Sequence, residues 1–422
     1  MTGALVASAE LVGLGALVLG VLKLAFLPLA LGFEVRARAR ARAPRRARTS
    51  IYGARRPPVS VVVPAYNEGN VLEGCVSSLM RSTYPDFEVI LVDDGSTDDT
   101  YRQMQDLAAR YPRVRAITKP NGGKGSALNA GIALATGEVL LLSDSDGVFE
   151  PAAIGRMVEA FVDDGVGAVC GDDRPVNLDR VQTRFLAVIS HVGTGLVRRA
   201  LDVLRCLPIV SGNIGAFRRD VLERTGGLHE DTLGEDLELT WRIYRAGYRV
   251  VFAPSAIVYA ESPSTLRGLW RQRVRWGRGL LQTFARHRSM VGNPRHGTFG
   301  LSLPLLALNA LVLPVAQIAV LLFVLASLAQ GLDDLPPAAV AAWQVVLWLG
   351  VPVSLLFLLV AIALNGAWRD LRFAWTLTLW PLYSILMSAV FLKALDLEVR
   401  RAPQRWNKLE RTGVVSLPSV RS

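Results

Sequence analysis

Three short stretches decide the fold: PPVSVVVPAYNE at residues 57–68, FEVILVDDGS at 87–96 and EVLLLSDSD at 138–146. Each holds an apolar or β-branched run (59–63, 88–92 and 138–142) that ends in acidic or turn residues. Near-continuous runs of this kind belong to strands buried on both faces. Helix-like stretches near 70–82, 98–110 and 125–135 lie between them. Strand, loop and helix in alternation predict an α/β domain over 57–290, its sheet covered on both faces by helices. Ligands of such sheets bind at the carboxyl ends of the strands, so the informative residues should follow each run.

They do. Pro64, Ala65, Tyr66, Asn67 and Glu68 close the first run. A tyrosine there can stack on a base, although Pro and Asn are also ordinary turn residues. Asp93 and Asp94 close the second; they suit ribose hydroxyls or the uracil imide, or equally a turn feeding a helix near Asp98. KPNGGKGSALN at 119–129 is a glycine-rich loop running into a helix. Its amides and Lys124 suit a diphosphate; a surface turn is the alternative, and P-loop spacing is absent. Asp144 and Asp146 alternate after the third run, so both side chains should point one way. Such hard oxygen donors suit Mg2+ or Mn2+ held against phosphates.

Further on, Ser211, Gly212 and Asn213 precede GEDLE at 234–238. Glu235 and Asp236 open a helical pattern, where the dipole favours acids and where a general base is equally at home. Gln272, Arg273, Val274, Arg275 and Trp276 follow Trp270 and Arg271 in a basic stretch. That stretch reads as an amphipathic surface helix, or as a stacking face for a sugar with fixed charge for a diphosphate.

The chain of 422 residues is half hydrophobic, with the excess at the N-terminus and beyond residue 300. Apolar stretches at 5–33, 301–332, 335–368 and 373–392 are each long enough for a hydrocarbon core. The net charge is +11, and arginines at 36, 38, 40, 42, 45, 46 and 48 follow the first stretch directly. That placement is an orientation signal and a lipid contact, not a nucleic-acid patch. Three crossings after a cytoplasmic domain would put the tail outside, yet Arg400, Arg401, Arg405, Lys408 and Arg411 favour the inside. Cys75, Cys170 and Cys206 form no CxxC pair and read as buried thiols.

Together, PAYNE, DDGS, NGGKGSALN, DSD, SGN, GED and QRVRW resemble the processive family 2 glycosyltransferases, the synthases of cellulose, chitin, hyaluronan and poly-N-acetylglucosamine. The resemblance covers 57–290. It implies a GT-A fold, a Rossmann-like mixed α/β sheet with helices on both faces, beside α-helical transmembrane segments. It implies a UDP-sugar donor, a growing polysaccharide as acceptor, and Mg2+ or Mn2+ as cofactor. By the same match, Tyr66, Glu68 and Asp94 sit at the uridine, with Pro64 among the substrate-binding residues, Lys124 near the diphosphate, and Asp144 and Asp146 at the metal. Asp236 matches the catalytic base, and Gln272, Arg273, Arg275 and Trp276 the acceptor and diphosphate. GED departs from the TED typical of cellulose and poly-N-acetylglucosamine synthases, while the tail 405–412 looks most like the latter group.

The expected organisation is a membrane segment at 1–33, a basic linker at 34–56 and a catalytic domain at 57–262. An amphipathic region at 263–297, transmembrane segments at 298–394 and a basic tail at 395–422 follow. The expected setting is the plasma membrane, multi-pass, with the catalytic domain cytoplasmic. Besides the lipid bilayer, the few crossings suggest an accessory membrane subunit or a homo-oligomer; no nucleic acid is expected. The rival expectation is a lipid-linked glycosyltransferase adding one sugar to a polyprenyl phosphate or glycolipid.

Overall fold

The apolar runs become the central strands. A computed structural model describes residues 23–42, 50–53, 55–329, 352–404 and 412–414. Most of the first apolar stretch, part of the arginine-rich linker, the segment 330–351 and tail residues 405–411 lie outside these. Strands β1 (Val59–Ala65), β2 (Phe87–Asp93), β3 (Val114–Thr118) and β4 (Val139–Leu142) are joined in parallel in the order β3-β2-β1-β4. Val61 pairs with both Val89 and Leu141. Successive residues of β1 enter opposite cores: Val61 and Val63 join Leu72 and Met104, while Val62 joins Leu140 and Trp241. Both faces being apolar, the runs need no polar alternation.

The rest of the sheet is mixed. Strands β5 (Val148–Phe149), β6 (Val166–Pro175), β7 (Gly215–Arg218) and β8 (Arg249–Ala260) complete the order β4-β7-β6-β8-β5. β7 runs antiparallel to β4 and β6, and β6 lies parallel to β8. The alternation of strand and helix anticipated the parallel half, and the family resemblance a mixed sheet. The reversal at β7 rests on four residues, GAFR, too few for a periodicity to register.

The helices, in chain order, are α1 (Phe26–Arg42), α2 (Gly69–Met80), α3 (Thr100–Arg110), α4 (Lys124–Leu134), α5 (Ala153–Glu159), α6 (Val181–His191) and α7 (Arg198–Val203). They continue as α8 (Arg219–Thr225), α9 (Glu235–Arg245), α10 (Leu266–Arg286), α11 (Gly297–Ala307) and α12 (Leu313–Ala329). The last two are α13 (Pro352–Asn365) and α14 (Trp380–Val399). A π-helical turn, Leu308–Val312, joins α11 to α12. Pro304 inside α11 has no amide to donate, yet the helix continues past it and through the π turn. A 3-10 segment, Trp368–Leu379, leads into α14. Among the described residues, Pro294–Ala319 and Trp368–Val399 are long and apolar enough to cross a membrane.

Candidate active site

The loops after β1, β2 and β4, the first turns of α4 and α9, and one face of α10 enclose a cleft of about 1030 Å³. Every residue to which the family resemblance gives a site role lines it: Pro64, Tyr66, Glu68, Asp94, Lys124, Asp144, Asp146, Asp236, Gln272, Arg273, Arg275 and Trp276.

Lys124 is the centre of the acidic side. Its Nζ lies 2.6 Å from Asp144 Oδ1 and 3.3 Å from Glu235 Oε1, and the side chain is only 9% exposed. Burial opposes its charge, but Asp144, Glu235 and Asp236 outweigh burial and hold its pKa above that of an ordinary lysine. The one lysine at the start of α4 therefore ties the DSD loop to the GED turn. Gly212 makes room for this cluster: a Cβ there would stand 2.8 Å from Lys124 Nζ and 3.2 Å from Asp236 Oδ2. Asp236 itself is pushed up to about 6 by burial and by Glu235, against the pull of Lys124 and Arg275. A carboxylate so placed stays ionised near neutral pH and is a stronger proton acceptor than an exposed aspartate.

At the other end, two loops are stitched together. Asn67 takes a left-handed conformation (φ 55°), and its Oδ1 accepts from Thr97 N at 2.7 Å. The Asn67 amide donates to Ser96 Oγ, and the Glu68 amide to Thr100 Oγ1, each at 2.9 Å. Of the two adjacent acids, Asp93 is structural: it accepts from Thr118 Oγ1 at 2.6 Å and Ser96 N at 3.1 Å. Asp94 faces the cleft but accepts from Gly122 N (3.0 Å) and Gly123 N (2.7 Å) and pairs with Lys119 (2.8 Å). The amides of Gly122 and Gly123 thus serve the Asp94 carboxylate, since a buried carboxylate takes the nearest donors.

The strand β4 stops at Leu142, so Asp144 and Asp146 sit on the turn after it and do not converge by strand alternation. Asp144 reaches Lys124, while Asp146 Oδ2 accepts from Glu261 N at 3.0 Å, and both border the same cleft. No group of three or more His, Cys, Asp or Glu surrounds one point among the described residues. Two hard carboxylates without soft donors still fit Mg2+ or Mn2+, which binds through one or two protein carboxylates and completes its shell with water and substrate phosphates.

The basic side comes from α10. Arg273 stacks its guanidinium 4.1 Å from the Trp276 ring centroid, and Trp276 is 47% exposed. Gln272 Oε1 and Arg273 Nε are buried in the wall of the cleft with no hydrogen-bond partner among the described residues. Polar atoms left so cost about 1–3 kcal/mol each, which a ligand that bonds them recovers. α10 lies unusually close to the GED turn, since a Cβ on Gly279 would meet Gly234 N at 2.8 Å. The glycine of GED is thus a packing residue.

The cleft also holds residues the sequence reading passed over: Asp173, Arg174, Arg198, Glu261 and Tyr383. Arg198 pairs with Asp173 at 2.6 Å, and Arg174 with Asp172 at 2.7 Å. Charged residues closing the apolar runs of β6 and β8 were the available signal for Asp173, Arg174 and Glu261.

Comparison with known proteins gives a consistent result. Residues 57–279 match the family model described as glycosyltransferase like family 2. The probable glycosyltransferase YdaM of Bacillus subtilis (strain 168) is 35% identical over 231 residues, which cover 53% of this chain and 55% of that protein. A poly-beta-1,6-N-acetyl-D-glucosamine synthase of Staphylococcus epidermidis is 30% identical over 222 residues, covering 52% and 54%. The chain thus spans about half the length of the curated relatives it matches. Among solved structures, the mannosyltransferase PcManGT from Pyrobaculum calidifontis, in complex with GDP-Man and Mn2+, superposes with a TM-score of 0.60 at 23% identity. That match covers 94% of this chain and 100% of that one, and at this identity it is a likeness of fold.

Proposed function

Since the chain belongs to glycosyltransferase family 2, matched over residues 57–279 of its 422, we propose that it is a membrane-bound inverting transferase that extends a β-linked polysaccharide from a UDP-sugar. N-acetylglucosamine is the favoured sugar, on the strength of the named synthase relatives and the tail. The observation that carries the proposal is the Lys124 bridge, which holds Asp144 and Glu235 beside Asp236 within one cleft that also takes in QRVRW.

In this reading Tyr66, Glu68 and Asp94, with Pro64 shaping the strand end, receive the uridine. Asp144 and Asp146 would hold Mg2+ or Mn2+, which supplies positive charge to the departing diphosphate. Lys124 adds fixed charge beside it. The acceptor hydroxyl gives its proton to Asp236 as its oxygen bonds to the anomeric carbon. The carbon–oxygen bond to the diphosphate breaks with its electron pair on UDP, and the anomeric configuration inverts. Gln272 Oε1 accepts from a hydroxyl of the acceptor sugar, Arg273 Nε donates to the acceptor or the diphosphate, Arg275 stands near Asp236, and Trp276 stacks on the acceptor sugar. The domain boundaries given above, a plasma-membrane setting and a cytoplasmic catalytic face complete the proposal, with a partner subunit or a second copy for export.

The test is product length. Purified full chain with UDP-N-acetylglucosamine and Mn2+ should yield polymer that is cut by a glycosidase specific for the linkage. A single sugar added to a polyprenyl phosphate or glycolipid, with no longer product, would favour the lipid-linked transferase and sink the processive reading.

A further inference from the structure

Length and composition allow α14 to cross a bilayer: about 20 residues of helix span about 30 Å. Its contacts do not. At its start, the Tyr383 ring packs edge-on against Phe185 of α6 at 5.1 Å between centroids. Tyr383 and Leu386 share one cluster with Phe185, Leu186 and Leu269. Further along, a Cβ on Gly277 of α10 would stand 3.0 Å from Ala394 Cβ. At its end, Glu398 Oε1 accepts from Arg278 Nε at 2.5 Å and Gln282 Nε2 at 3.0 Å. Arg278 goes on to bond the carbonyls of Ala402 and Pro403. α14 therefore runs beside α10 from Leu269 to Gln282. α10 is fixed to the catalytic domain through Phe284 in the core and the Gly279–Gly234 contact. A spanning helix would carry one end about 30 Å from the catalytic face; here the start packs on α6, with Ser384 and Ser388 bonded to Gln317 of α12, and the end is hydrogen-bonded to α10.

The chain beyond α14 tells the same story. Thr412 N and Gly413 N donate to the Glu261 carboxylate at 2.8 and 2.6 Å, and the Glu261 amide donates to Asp146. The tail thus reaches the rim of the catalytic cleft.

We infer that the segment from Trp368 to Val399 is not a membrane span but a surface-lying element that docks on the lipid headgroup region of the catalytic-side leaflet, so that the basic tail stays on the catalytic side. Its outward face suits that partner. Trp368, Trp375, Trp380, Leu382, Leu395 and Val399 are exposed, with Arg369 and Arg372 exposed among them. Tryptophans prefer the interface, and arginines pair with anionic headgroups. One crossing fewer leaves an even number after the catalytic domain, and the conflict over the arginines of the tail disappears. Asn365, at the end of α13, already bonds Arg199 beside the catalytic domain.

The inference rests on the membrane reading proposed above, not on the sugar or the chemistry. It is tested with Arg369→Cys and Gln404→Cys, which flank α14, and Arg102→Cys on α3 as a marker of the catalytic side; the three native cysteines are buried. Each full-length variant is expressed in bacterial cells and treated with a membrane-impermeant maleimide before and after permeabilisation. Both flanking positions should label only after permeabilisation, as Arg102→Cys does. Labelling of the two positions from opposite sides, labelling of Gln404→Cys in intact cells, or failure of either to label after permeabilisation overturns the inference. Release of the chain from membranes by carbonate washing would instead remove the membrane reading beneath it.

Discussion

Replacing Lys124 by methionine is the sharpest probe of the acidic cluster. The substitution keeps most of the side-chain volume but removes the charge that lies 2.6 Å from Asp144 and 3.3 Å from Glu235. Opposite charges about 4 Å apart interact by about 4 kcal/mol at an effective dielectric of about 20. Removing one partner of a buried pair costs about 3–5 kcal/mol, since the other charge stays buried. Lys124→Met should therefore lose about that much stability, measured by denaturant unfolding in detergent followed through tryptophan fluorescence. Adding Asp144→Asn should recover part of the loss, with a coupling of about 1–3 kcal/mol in a double-mutant cycle. Mn2+ should raise the unfolding midpoint more for Lys124→Met than for the parent, because the cation replaces the missing charge. Strictly additive losses, together with an equal response to Mn2+, would show that Lys124 does not hold the carboxylates together.

Asp236→Asn should remove turnover while UDP affinity, read by isothermal titration, stays within a few-fold; loss of both would contradict its role as base. Because Asp236 titrates near 6 and must be ionised to accept a proton, kcat/KM should be full above that value and fall as pH drops through it. A profile flat down to pH 5 would reassign the base. Gly279→Ala would place a methyl 2.8–3.1 Å from the backbone of Leu233 and Gly234. It should cost about 1–3 kcal/mol and raise the donor KM by displacing α10 from the GED turn, whereas Gly277→Ala, which meets only Ala394 Cβ, should be milder on the donor KM. Chelation by EDTA should stop UDP release, and Mg2+ or Mn2+ should restore it; turnover untouched by EDTA would exclude the assigned metal pair.

The motifs at strand ends were legible because a parallel sheet buried on both faces writes long apolar runs and puts its loops at one edge. That geometry made Tyr66, Asp94, Asp144 and Lys124 candidates at strand ends, and the joint order of the motifs, through the family resemblance, gave them roles. What the sequence hid was decided by tertiary contact. Asp93 and Asp94 are neighbours, yet one bonds Thr118 and the other the amides of Gly122 and Gly123. Nothing local distinguishes them. Arg198 and Tyr383 reach the cleft from elements far along the chain, where they meet Asp173 and Phe185, and neither of the two carries a spacing signal of its own. The sequence showed only that GED departs from TED; Gly279 against Gly234 shows the glycine at a close helix approach. Hydropathy likewise could not separate α14 from a spanning helix, since the difference lies in what its two ends touch.

The most direct measurement is the anomalous signal of Mn2+ in crystals of the full chain grown with UDP. The account predicts one peak within bonding distance of the Asp144 and Asp146 carboxylates, with the diphosphate beside it and Asp236 facing the same space. A peak on other residues, or UDP bound outside this cleft, would contradict it.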